Sequence, residues 1–239
     1  MRKAEFNIAE GTKQKIADGI LRGLFNAKVK CNEDRLEYKN GQGLFNLNHI
    51  FSSLERSMDA NFLVNSFKRG SYKFAIIYDV VSKTLMTLAS GSTLDRLRSR
   101  SQINTCHYID ALLTLNDDFE GDCVQDSFFS LLEEPIPDEK REELCEEIIA
   151  AWKSNEIQKY VLVEYTIDHT QFSLNNLTAH LFSDHFIEVG RENWFKYIRA
   201  NYDSEIIDNT PAKLTEEINA IDSDKLDIKL KIKKMQSVG

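Results

Sequence analysis

Tyr72-Lys-Phe-Ala-Ile-Ile-Tyr-Asp79 and Thr84-Leu-Met-Thr-Leu-Ala89 are the two runs whose reading decides the fold. In the first, Tyr72, Phe74, Ile76 and Tyr78 share one face, and Ala75 and Ile77 lie on the other beside Lys73 and Asp79. Apolar residues on both faces mark a strand packed on both sides, inside a sheet rather than at its rim. Asp79-Val-Val-Ser-Lys83 makes a tight connection, because Asp and Ser bond nearby backbone groups. The hairpin leads into a basic segment, Leu94-Asp-Arg-Leu-Arg-Ser-Arg100, which Ser92 or Thr93 is positioned to cap as a short helix with Leu94 and Leu97 inward.

Upstream, Ile16, Ile20, Leu21, Leu24 and Phe25 form a stripe at helical spacing over Thr12 to Ala27. Gly19 and Gly23 weaken that helix by about 1 kcal/mol each unless another backbone comes close. Residues 35–39 suit a short strand, Asn40-Gly41 a hairpin-type turn, and a second helix begins at Asn46 or Asn48 with Leu47, Ile50, Phe51, Leu54 and Met58 inward. Downstream, Thr105 to Leu115 reads as a helix, 116–137 as an irregular acidic connector, and Glu139 to Lys153 as a helix capped by Asp138. That helix turns Leu144, Cys145, Ile148, Ala151 and Trp152 inward. A second β region runs from Lys159 to Ile167, Leu177 to Phe182 and His185 to Val189, followed by a helix from Glu192 to Tyr202 that buries Trp194, Phe195 and Ile198. Thr210-Pro211 starts a further helix, and Asp227 to Lys233 alternates as an edge strand whose lysines protect it from pairing. The fold class is α+β: mostly antiparallel sheet from the 72–89 and 159–189 regions, covered by about six helices. One domain of 1–239 is expected, with 116–137 the place for a loose division into a basic 1–115 and an acidic-to-neutral 138–239.

Charge is polarised along the chain. The net of −8 divides into +7 over residues 1–105, −12 over 110–150 and −3 beyond. Lys68, Arg69, Lys73, Arg96, Arg98 and Arg100 fall within 33 residues, opposed in sign there only by Asp79 and Asp95. Arginine's planar fork suits bidentate phosphate contact, so this cluster is the candidate ligand surface. The chain's own acidic 110–150 segment competes for the same surface.

Histidines are the second constellation: His169, His180 and His185 with Asp168 and Asp184. Of these, His180, Asp184 and His185 are the candidate metal ligands, although His180 and His185 fall on opposite faces of any continuous strand. Glu37-Tyr38-Lys39 and Asp227-Ile228-Lys229 carry only the acid-x-Lys fragment of a metal-dependent nuclease, a match short enough to arise by chance. No Gly-x-Ser-x-Gly elbow, phosphate-cradling glycine loop or Cys-x-x-Cys pair occurs, and Cys106-His107 are neighbours in sequence alone. Four scattered cysteines and the lack of any long apolar run suit a cytoplasmic protein with no membrane association. The expectation is a non-enzymatic intracellular binding or regulatory protein, with no cofactor. Its basic N-terminal surface would meet nucleic acid, a phosphate-bearing ligand or an acidic protein. The alternative is a metal-dependent enzyme acting on nucleic acid or a nucleotide.

Overall fold

The stripe of Ile16, Ile20 and Leu24 belongs to a helix longer than its period suggested, α1 (Glu10–Glu33). The computed structural model describes residues 5–34, 41–99, 106–119 and 137–198. Helix α2 (Gln42–Arg56) starts earlier than either asparagine, because Gly41 adopts the left-handed conformation (φ 83°) and opens it. Asn46 is buried rather than capping, and Met58 lies exposed beyond the helix end. The glycines of α1 face this partner. A Cβ on Gly19 would sit 2.5 Å from Leu54 Cδ2, and one on Gly23 would sit 2.4 Å from the Ile50 Cα. Close approach of two helices is therefore what those glycines provide.

Six strands follow: β1 (Phe62–Arg69), β2 (Tyr72–Asp79), β3 (Thr84–Ser90), β4 (Lys159–Asp168), β5 (Ser173–Phe182) and β6 (Glu188–Asn193). They form one sheet in the order β1-β2-β3-β4-β5-β6. Every neighbouring pair is antiparallel except β3 and β4, which are parallel. A parallel pair needs a crossover, and the chain between Ser90 and Lys159 supplies it with α3 (Gly91–Arg98), α4 (Tyr108–Leu112) and α5 (Asp138–Ile149). The protein is α+β, with a mostly antiparallel sheet. Residues on both sides of 116–137 share this sheet and its core.

Strand β1 has no counterpart in the sequence pattern. Asn65, Ser66, Lys68 and Arg69 interrupt its alternation, as suits a rim strand paired only to β2. Ser90, not Ser92 or Thr93, caps α3, accepting from the Thr93 N–H at 3.2 Å. His107 caps α4, which is shorter than the expected 105–115 and tightens into a 3₁₀ turn over Leu113–Asn116. Pro137, not Asp138, holds the cap position of α5, and Ala151 is exposed. The expected helix from Glu192 is instead the end of β6 and a 3₁₀ turn, Phe195–Tyr197, with Trp194 buried and Phe195 exposed. The readings at 35–40, 210–221 and 227–233 lie outside the described residues.

Helices cover both faces of the sheet. On one, Phe74 stacks on Tyr108 of α4 (ring centroids 4.0 Å apart) and Tyr78 meets Trp152 just beyond α5 (5.5 Å). On the other, the fully buried Asp79 accepts from Thr12 of α1 at 2.6 Å and from the Ser82 N–H at 2.9 Å. Asn116 fastens the crossover to the sheet: its Nδ2 donates to Tyr160 O and Phe182 O, and its Oδ1 accepts from Tyr160 N–H, each at 2.8 Å. All three bonds are buried, where an unmade one is costly.

Candidate functional site

The ladder between β2 and β3 joins Ile76–Asp79 to Thr84–Thr87 and goes no further. Residues 72–75 of β2 and 88–90 of β3 diverge without pairing, so the sheet opens in its middle. The gap lies at the carboxyl ends of the parallel pair β3 and β4, the end of a sheet at which ligand crevices form. A cavity of about 530 Å³ occupies this place, walled by Tyr72, Phe74, Ala89, Tyr108, Tyr165 and His169 and reached by Arg69 and Arg96. Leu44 and Leu47 of α2 close one side. That volume is within the range of about 300–1,000 Å³ typical of small-ligand pockets.

Rings dominate the wall. Tyr72 lies 6.2 Å from Phe74, Phe74 lies 4.0 Å from Tyr108, and Tyr108 lies 4.4 Å from His107, with interplanar angles of 25°, 23° and 34°. Burial pushes the phenols of Tyr72, Tyr108 and Tyr165 above their ordinary value, and for Tyr108 the neighbouring phenols push further. All three therefore stay protonated at neutral pH and add no negative charge. Among the described residues lining the cavity there is no carboxylate. Glu164, the register partner of Ala89, bonds His180 Nε2 at 2.8 Å, and its Oε1 lies 2.8 Å from where a Cβ on Gly91, at the start of α3, would be.

His169 is held by α2. Gln42 Nε2 donates to Asn46 Oδ1 at 3.1 Å, which leaves Asn46 Nδ2 facing His169 Nδ1, also at 3.1 Å. This network assigns the proton of the neutral ring to Nε2. That edge of the ring lies beside Gly43, 3.9 Å from where a Cβ there would be, at the cavity wall. At the mouth, Ser90 Oγ is 3.0 Å from Ser92 Oγ and 2.9 Å from Thr93 Oγ1, grouping three hydroxyls where α3 begins.

The basic cluster divides. Arg69, the last residue of β1, donates from Nη1 to Cys106 O at 2.6 Å, which steers it over the cavity. Its register partner across the Gly70-Ser71 turn is Tyr72. Arg96 is exposed on α3 and pairs with no carboxylate among the described residues. Arg98 turns away, pairing with Glu188 at 3.1 Å and lying over the Phe182 ring at 5.7 Å. Lys73, opposite Lys68 in the register, borders a smaller cavity of about 210 Å³ with Glu55. Arg100 lies outside the described residues. No residue of α5 pairs with any of these cations among the described residues, and the basic half of α5, Arg141, bonds Asp138, Asp110 O and Asp184 O.

The histidines do not converge. His180 is 1 % exposed, with Nε2 on Glu164 and Nδ1 3.4 Å from Glu188 Oε1. His185 is 74 % exposed in the turn before β6, 3.7 Å from Asp184. His169 is at the cavity. Among the described residues no three His, Cys, Asp or Glu side chains gather as metal ligands. The fragments at Glu37–Lys39 and Asp227–Lys229 lie outside the described residues. No helix among the described residues is long and apolar enough to cross a membrane. Sequence reasoning missed Tyr108 and Tyr165 as cavity residues and Asn46 as the partner of His169, since each reads as ordinary core or loop, and it grouped His169 with the other histidines rather than with this cavity. The one signal was Tyr72, at the start of its strand three residues after Arg69.

Nothing among the curated proteins and nothing among the solved structures matches this chain. A family model does match, over residues 5–237, and the chain belongs to that family, a family of unknown function (DUF5986).

Proposed function

We propose that the protein binds a phosphate-bearing ligand in the cavity between β2 and β3, without chemistry, as an intracellular binding or regulatory protein. The observation that carries this reading is the pairing of Arg69 and Arg96 at the mouth of an aromatic cavity whose described lining holds no carboxylate. Two guanidinium groups with no carboxylate in the described lining favour an anion, and planar forks favour phosphate over a monodentate one. The grouped hydroxyls of Ser90, Ser92 and Thr93 add neutral donors at the same mouth.

A thermal-shift series with phosphate, pyrophosphate, sulfate and acetate tests it. A ligand that binds only the folded state raises its melting temperature with concentration. Phosphate and pyrophosphate are expected to raise it more than acetate, less so as salt increases. Arg69→Ala/Arg96→Ala is expected to abolish the shift, since each charged hydrogen bond is worth about 1.5–3 kcal/mol. An equal shift in the double variant, or none in the wild type, would overturn the proposal.

A further inference from the structure

The cavity has more apolar ring surface than a bare anion needs, and this surface points to what carries the phosphate. We infer that the ligand is a nucleoside monophosphate unit, its base stacked in the gap between β2 and β3 and its phosphate on Arg69 and Arg96. This rests on the phosphate reading above and names its substrate class.

Three features converge. Tyr72, Phe74, Tyr108 and His107 form a run of rings with similar planes, and Tyr72, 39 % exposed, leaves one end of that run open. Aromatic faces of this kind stack on any nucleobase, whereas a sugar phosphate or inorganic phosphate offers them nothing planar. Arg69 and Tyr72 are directly opposed in the β1–β2 register. Opposed residues hold their Cβ atoms about 4.5–5.5 Å apart, so a phosphate handle and a stacking ring are neighbours by construction. Finally, the edges are polar. Strand segments 72–75 and 88–90 do not pair with each other across the gap, and His169 presents an Nε2–H beside it. Backbone groups and a ring donor at the end of a stacking wall match the hydrogen-bonding edge of a base.

Charge sets the phosphate number. Two arginines balance one dianionic phosphate. A triphosphate would bring about twice that charge, and the described lining offers no third Lys or Arg. The same unit occurs as a free nucleotide and as the 5′-phosphorylated end of a single strand, so the experiment separates the two.

Calorimetric titration at low salt would compare AMP, GMP, CMP and UMP with ribose 5-phosphate, with the parent nucleosides, and with a ten-nucleotide single strand bearing a 5′-phosphate or a 5′-hydroxyl. At least one monophosphate, or the 5′-phosphorylated strand, is expected to bind tenfold or more tighter than ribose 5-phosphate and than its unphosphorylated counterpart. Tyr72→Ala is expected to cost the nucleotide about tenfold, and to leave ribose 5-phosphate unchanged. Tyr72→Phe should restore the wild-type affinity. If ribose 5-phosphate binds as tightly as every nucleotide and Tyr72→Ala changes nothing, the nucleotide inference fails while the phosphate reading stands. If nucleosides bind as tightly as nucleotides and Arg69→Ala/Arg96→Ala changes nothing, the phosphate reading fails and this inference with it. Binding of the 5′-phosphorylated strand without binding of any free monophosphate assigns the strand end as the source.

Discussion

Replacing Gly23 by alanine adds one methyl group to a close contact between α1 and α2. The new Cβ would lie 2.4 Å from Ile50 Cα, 2.6 Å from Ile50 N and 2.9 Å from His49 C. Ordinary contact begins near 3.4 Å, and the obstacles are backbone atoms, so no side chain can turn aside. α1 and α2 must part by about 1 Å, a gap that forfeits a quarter to a half of the dispersion energy of each facing atom pair. Overpacking of this kind costs about 1–3 kcal/mol at side-chain contacts and more against backbone. Alanine returns about 1 kcal/mol of helix propensity. A net loss of about 2 kcal/mol follows, or a melting temperature lowered by about 4–8 °C at this chain length. Because α2 carries Gly43, Leu44 and Leu47 into the cavity wall, ligand affinity should fall as well. Gly11→Ala is the control, since nothing lies within 4 Å of its Cβ, and it should leave the melting temperature unchanged or slightly raised. Calorimetric melting of both variants checks this. A Gly23→Ala protein at or above the wild-type melting temperature would refute the helix contact and the wall built on it.

Asn116→Ala should cost about 3 kcal/mol in denaturant unfolding, as three buried hydrogen bonds are lost at once. Asn116→Asp should do no better, because an acceptor would then face the Tyr160 and Phe182 carbonyls; a stable Asp variant would contradict that assignment. At Glu188, burial raises the carboxyl, but bonds and charge from Arg191 and His180 hold it on balance below its ordinary 4.5. Its contribution to stability is therefore present above 4.5 and lost as the pH falls through the folded-state value. Glu188→Gln should flatten the fall in melting temperature below pH 4.5, and an unchanged slope would count against the pairing. Arg98→Ala should leave anion binding within about twofold, because its partners are Glu188 and Phe182 rather than the cavity; a loss as large as that of Arg96→Ala would show that the cluster acts as one surface.

The hairpin from Tyr72 to Ala89 was legible because alternation over buried strands leaves little else for those residues to do. So were the glycines of α1, whose cost in a helix called for a close neighbour. Strand β1 was not legible, since a rim strand needs no apolar outer face and Asn65 and Ser66 give it none. The parallel pairing of β3 with β4 also escaped, because two strands 68 residues apart carry no mark of mutual direction. Half of the site followed from the same limits. Clustered arginines are visible in the sequence, but which of them share a cavity depends on where β2 and β3 separate, and divergence of strands is a property of packing. Arg96 and Arg98 differ by two positions on a helix, a rotation of about 200°, and that turn sends one to the cavity and the other to Glu188.

The position of a bound anion tests the central claim most directly. In crystals grown with pyrophosphate, the account expects the anion at the cavity mouth, within hydrogen-bonding distance of both Arg69 and Arg96. Pyrophosphate found on Lys68 and Lys73 instead, or found nowhere at saturating concentration, would contradict it.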